Sequence, residues 1–152
     1  STLLASSAAS DVYKRQIPEN AAFLTADGKQ VIDFRYDDIT LLGFNRALGK
    51  DGSRRYLLDT STGDVIASLP PNIGAAHFNE TPVTWIFRAK SYYGIIDEEG
   101  NILYEDAKDP LTGVTKFRHG FSGGQKDNKK WGILKSDGTW LVHPTYDYIK
   151  LL

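Results

Sequence analysis

Large apolar residues fall along the chain in adjacent pairs, and the pairs flank small turns centred on glycine. Phe23-Leu24, Leu57-Leu58, Ile95-Ile96 and Ile133-Leu134 each precede such a turn: Ala26-Asp27-Gly28, Ser61-Thr62-Gly63, Glu98-Glu99-Gly100 and Ser136-Asp137-Gly138. A second pair follows each one: Val31-Ile32, Val65-Ile66, Ile102-Leu103 and Leu141-Val142. Short β-branched and aromatic runs around a glycine predict β-hairpins, because glycine supplies the backbone freedom a tight turn needs. No stretch beyond residue 16 offers apolar residues at i, i+3, i+4 and i+7 over the length a helix requires. The turn glycines lie 35, 37 and 38 residues apart, and the second repeat needs one extra turn residue to align. A strand upstream of each hairpin, as in Val83 to Arg88 before Tyr92 to Ile96, makes each repeat a meander of about three strands. Such a meander cannot bury its apolar face alone, so the copies must stack. The pattern predicts an all-β array of four repeats, approximately 17–52, 53–88, 89–126 and 127–152. Its period is shorter than the about 40–45 residues of a four-stranded propeller blade. That favours an open stack or a twisted sheet over propeller-like closure.

The residues just before the hairpins add a signature. Tyr93-Gly94 leads into the turn at Gly100, and Trp131-Gly132 into the turn at Gly138. Beyond the latter stands His143-Pro144-Thr145-Tyr146-Asp147, and before it Phe117-Arg118-His119-Gly120. This combination resembles the bacterial WG repeats, in which an aromatic-glycine pair opens a strand, a glycine turn follows and a Pro-x-Tyr-Asp element closes the unit. The equivalent pairs Arg55-Tyr56 and Ala21-Ala22 depart from it, so the first two repeats are degenerate. The resemblance implies repeat-motif roles for Tyr93, Gly94, Gly100, Trp131, Gly132, Gly138, Tyr146 and Asp147. It implies an interaction or envelope-associated module and brings no catalytic residues. On a strand Trp131 and Ile133 share one face and Gly132 and Leu134 the other. A glycine beside a bulky ring admits close approach of a neighbour. Trp131 and Tyr93 are therefore expected to pack between repeats.

Composition narrows the chemistry. Of 152 residues, 18 are Lys or Arg and 19 Asp or Glu, a net charge of −1, with mean hydropathy −0.35. There is no broad basic field for nucleic acid and no apolar run of the roughly 18 residues that a membrane span needs. With no cysteine, disulfides and thiolate nucleophiles are excluded. His77, His119 and His143 are far apart, with no local ligand partner, so no metal site is expected. No cofactor motif occurs, and no catalytic residue is assigned. Gly120-Phe121-Ser122-Gly123-Gly124-Gln125-Lys126 lacks the spacing of a phosphate loop and reads as a solvated connector. Lys126, Lys129 and Lys130 form a small basic cluster offset by Asp127. Asp97-Glu98-Glu99-Gly100 and Asp137-Gly138 read as turn residues, not calcium ligands. Asp37, Asp109 and Asp147 recur nine residues after their turn glycines, and a short acid at a strand exit is expected to accept backbone N–H bonds in an Asx-turn.

The first sixteen residues stand apart. Ser6-Ser7-Ala8-Ala9-Ser10-Asp11-Val12-Tyr13-Lys14-Arg15-Gln16 matches the translation of a transposase-end sequencing adapter. Methionine is absent from the chain. Residues 1–16 are accordingly expected to be non-native and disordered, and 17–152 a fragment of a larger protein whose compartment is undetermined.

The function this implies is a non-enzymatic β-repeat scaffold that presents an extended surface to a protein partner. Aromatics make up 12% of the chain, so a carbohydrate or cell-envelope module is the alternative, with Tyr36, Trp85, Tyr104 and Trp140 as exposed ligand-contacting rings. A third reading is an accessory repeat region of an enzyme.

Overall fold

The computed structural model describes residues 35–79 and 81–152 in full, and of the earlier chain the backbone of the strands only. Among the described residues, sixteen strands form four antiparallel sheets of four, each a simple meander in sequence order. The chain divides into two compact units, residues 1–72 and 73–152. Among the described residues none of the sheets closes into a barrel. No helix among the described residues is long and apolar enough to cross a membrane.

The first unit holds two sheets. One consists of β1 (Thr2–Ala5), β2 (Val12–Gln16), β3 (Ala21–Thr25) and β4 (Gln30–Tyr36). The other consists of β5 (Asp38–Gly43), β6 (Arg46–Asp51), β7 (Arg54–Asp59) and β8 (Val65–Leu69). The second unit holds β9 (Gly74–Ala75), β10 (Val83–Arg88), β11 (Ser91–Asp97) and β12 (Ile102–Glu105), then β13 (Gly113–Val114), β14 (Phe121–Gln125), β15 (Trp131–Lys135) and β16 (Trp140–Tyr146). The all-β repeat expectation is met, with one more strand per repeat than the three expected. The surplus strands β9 and β13 are two residues long, too short to leave a hydrophobic pattern. Four strands is also the content of a propeller blade. Each sheet begins two strands upstream of its hairpin, so the hydrogen-bonded unit is out of phase with repeats counted from the glycines. Strands β1 and β2 fall in the segment 1–16 that the sequence sets aside; a free strand edge pairs with any backbone N–H and C=O, whatever side chains accompany them. The turn at Ala26-Asp27-Gly28 lies outside the described residues.

The repeat is visible in the ladder itself. The third and fourth strands of every sheet shift register at the same place: between Phe23 and Leu24, Leu57 and Leu58, Ile95 and Ile96, and Ile133 and Leu134. A bulge bends the strand and fixes its register. The residues after it, Leu58, Ile96 and Leu134, are all fully buried. Gly63, Gly100 and Gly138 sit in the hairpin turns at φ between 82° and 84°, the left-handed region that glycine adopts without a Cβ penalty. In the two later turns the N–H of Gly100 bonds to Asp97 C=O and that of Gly138 to Lys135 C=O, three residues back. In the second repeat Gly63 reaches Asp59 C=O, four back, which is the extra turn residue read from the sequence.

The adjacent apolar pairs have a simple cause. Neighbouring residues on a strand face opposite ways, and Leu57, Leu58, Ile95 and Ile96 are each fully buried. Their strands are therefore covered on both faces. The fourth strands lie at sheet edges and leave Val65, Ile102, Leu103 and Leu141 exposed. In the first unit Tyr36, Ile39, Ala47 and Leu58 form one core cluster, with Tyr36 edge-on to Tyr56 at 6.1 Å. In the second, Trp85, Ile95, Leu111, Phe117 and Leu134 join the two sheets.

Candidate functional site

The second unit carries an open groove of about 530 Å³ between the segments that follow its two short edge strands. Residues 76–79, after β9, form one wall and 114–117 the other. Trp85, Tyr92, Val114 and Phe117 provide its apolar floor, while His77, Asn79, Thr84 and Lys116 are polar. Smaller hollows continue it past Arg118 toward His119 and Lys150.

Both walls are pinned from below by a hydroxyl at the same repeat position. Thr84 pairs with Ile96 and Ser122 with Leu134, the two residues that follow the bulge. The Thr84 hydroxyl lies within hydrogen-bond reach of Ala76 C=O (2.7 Å) and His77 C=O (3.0 Å). The Ser122 hydroxyl bonds to Thr115 C=O at 2.8 Å and accepts from Trp85 Nε1–H at 2.9 Å. The Thr115 hydroxyl accepts from Gly123 N–H at 2.7 Å. Trp85 stacks on Phe117 with centroids 5.6 Å apart and meets Tyr104 edge-on at 6.5 Å. The indole is thus fixed by a buried hydrogen bond and two rings, and the groove floor is rigid. Sequence reasoning passed over Thr84, Ser122 and Phe117 as site-formers; a lone Ser or Thr inside a strand carries no signal until its register is known.

Several expectations need correction. Tyr36 and Trp85 are 1% and 2% exposed, so neither stands on an open face. Tyr36 faces the core cluster of the first unit, and the Trp85 ring is held between Phe117 and Tyr104. Tyr104 and Trp140 are half-buried against the second core. Burial, aided by the charges of Asp106 and Asp109, raises the Tyr104 phenol above its ordinary pKa. The expected solvated connector at Gly120 to Lys126 contains β14, with Ser122, Gly123 and Gly124 buried. A Cβ on Gly123 would stand 2.5 Å from Ile149 Cδ1, and one on Gly124 2.4 Å from Leu134 Cδ1. These glycines make room for packed side chains, whereas their weak strand propensity suggested a loop.

Nor are Asp109 and Asp147 Asx-turn acids. Lys126 binds Asp109 at 2.8 Å, and Lys130 pairs with Asp147. Two lysines of the basic cluster are therefore neutralised by acids distant in sequence. Asp37 does accept a backbone N–H, from Gly52 across the sheet at 2.6 Å. Asx-turns are made instead by Asp59, Asp97, Asp106, Asn128 and Asp137, each receiving an N–H two residues on.

The motif pair has a local role. A Cβ on Gly132 would lie 2.3 Å from Val142 C=O, and one on Gly94 3.0 Å from Tyr104 C=O, so the glycine lets the fourth strand approach. Opposite Gly132 the ladder jumps from Trp131–Tyr146 to Ile133–Val142, leaving His143, Pro144 and Thr145 outside the ladder. Proline is tolerated at such a bulge. β3 and β4 repeat the jump, from Ala21–Tyr36 to Phe23–Ile32. Tyr93 is buried under Arg88, whose guanidinium lies 5.0 Å from its ring centre, and desolvation raises its phenol pKa. Trp131 is half-buried, beside Gly113 of its own sheet. Gly100 and Gly138 are the turn glycines; Gly138 lies directly under the Tyr104 ring. Tyr146 and Asp147 are exposed. His77, His119 and His143 are exposed on separate segments, and among the described residues no three His, Asp or Glu side chains are grouped to hold a metal.

No curated protein matches the sequence. Solved structures share the fold. The computationally designed Ika8 protein aligns over 91% of this chain and 46% of its own, at 10% identity and a TM-score of 0.58. The designed Ika4 protein aligns over 88% of both chains, at 14% identity and TM-score 0.54. Hsv2p of Kluyveromyces lactis aligns over 93% of this chain and 50% of its own, at 11% identity and TM-score 0.53. The chain thus spans about half the length of Ika8 and Hsv2p. A family model described as WG containing repeat matches residues 131–151. That stretch is the hairpin β15–β16 with its Trp131-Gly132 pair and turn glycine, so the chain carries a WG repeat there, and the same bulge and turn recur in the preceding sheets.

Proposed function

We propose that this chain is a non-enzymatic scaffold that binds a protein partner in the groove of its second unit. The observation that carries this reading is the groove's construction: an aromatic floor locked by the Trp85–Ser122 bond, walls tied down through Thr84 and Thr115, and a few fixed polar groups. An apolar cleft with a few fixed polar groups is the usual form of a binding site. No nucleophile with an adjacent base lines it. A carbohydrate platform is less well supported, because it needs rings lying open to solvent and two of the four candidates are buried.

Display selection of peptides on the immobilised full chain tests the reading. Enriched sequences should lose binding when Val114→Arg fills the groove, while insoluble glycans neither retain the protein nor quench its tryptophan emission. Absence of any enriched peptide, or glycan retention that Val114→Arg abolishes, would overturn it.

A further inference from the structure

The charges around this groove are uneven in a way the scaffold reading does not require. Three cations outside it have acidic partners: Arg46 lies 3.9 Å from Asp59, Lys126 binds Asp109 and Lys130 binds Asp147. Lys116, Arg118 and Lys150 together line one hollow of about 320 Å³, and no described acid forms an ion pair with any of them. Lys116 also lines the main groove, Arg118 the two smaller hollows beside it, and His77 and His119 stand at the rim. None of the described residues lining these four hollows is acidic. In a chain of net charge −1, three cations along one side of the groove with no acid among its described lining residues are a local arrangement, not an overspill of general basicity.

From this, and resting on the scaffold reading, we infer that the groove takes an acidic peptide in extended conformation, its carboxylates along Lys116, Arg118 and Lys150 and its apolar side chains toward the half-buried Tyr92 and Val114. Charge complementarity of this kind sets partner choice and speeds encounter. The extended form follows from an edge strand. Among the described strands β13 lies at a sheet edge and pairs only with β14, and its Val114 lines the groove. A peptide strand can add to such an edge, and its alternating side chains then present one face to the floor and the other to the cations. Three cations over a short groove suit a few carboxylates and fall short of the row of phosphate contacts that dominates nucleic-acid binding.

A fluorescein-labelled peptide of alternating Glu and Val, with a Lys and Val counterpart, tests this by anisotropy on the full chain. The acidic peptide should bind and the basic one should not. Lys116→Glu with Arg118→Glu, both on exposed side chains, should weaken binding by about tenfold or more, and added salt should weaken it further. Lys90→Glu, outside the groove, should leave it unchanged, and circular dichroism should show all variants folded. Equal binding of the two peptides, no effect of the double reversal, or preferential binding of polyuridylate would overturn the inference. If instead the display selection yields neutral peptides that Val114→Arg displaces, the acidic specificity falls while the scaffold reading stands; with no groove-dependent peptide at all, both fall.

Discussion

Two tyrosines show what packing adds to a repeated residue. Tyr36 and Tyr146 occupy the same place, opposite Ala21 and Trp131 at the far side of the same ladder jump. Tyr36 is 1% exposed and Tyr146 54%. Burying an aromatic ring is worth a few kcal/mol, so Tyr36→Ala should destabilise by about 3 kcal/mol and Tyr146→Ala by less than about 1 kcal/mol, read from urea midpoints. The motif glycines make a second contrast. Gly132→Val drives a Cβ into Val142 C=O, which belongs to backbone and cannot swing aside, and should cost about 3 kcal/mol. Gly94→Ala meets mainly the movable end of Ile86 and a carbonyl at 3.0 Å, and should cost about 1 kcal/mol. Equal midpoints for the two glycine variants would show that close strand approach is not what the motif serves.

At the scale of elements, the groove depends on one hydroxyl. Ser122→Ala leaves Trp85 Nε1–H buried without its acceptor, a loss of about 1–3 kcal/mol. Trp85→Phe removes the donor as well as part of the ring, so a double-mutant cycle should show the Ser122 change costing less in the Trp85→Phe background. Additive losses would separate the two residues. This element also marks the boundary of what the sequence reveals. The third and fourth strands were legible because paired apolar residues and a turn glycine announce them. β9 and β13 were not, since two residues carry no period, and β14 was mistaken for a connector because glycines that accommodate Ile149 and Leu134 look, in sequence, like glycines of a loop. The groove was invisible, because its walls meet only once two sheets have packed around Trp85 and Phe117.

For the molecule as a whole, acid should reveal the turns. The Asp59 carboxylate sits below its ordinary pKa, mainly through the Ser61 hydroxyl, with the Ser61 N–H and Arg46 assisting against a partial desolvation. Asp137 is lowered likewise by Thr139. A carboxylate whose folded pKa is depressed stabilises fully above its unfolded value and loses that contribution as pH falls through the folded one. Stability should therefore be flat near neutrality and decline below about pH 4, and Asp59→Asn should make the decline shallower. A pH profile of the thermal midpoint unaltered by Asp59→Asn would contradict this.

The bulge shared by all four sheets has a wider consequence. It works as a fixed notch from which both strands are counted, so residues added beyond it lengthen the tip and leave the rungs below in step. The second repeat already tolerates such an addition at Thr60 to Gly63 without displacing Leu57 or Leu58 from the core. Hairpin tips in this array can thus vary in length and chemistry over generations while Thr84, Trp85 and Ser122, which sit on the rungs, keep their places.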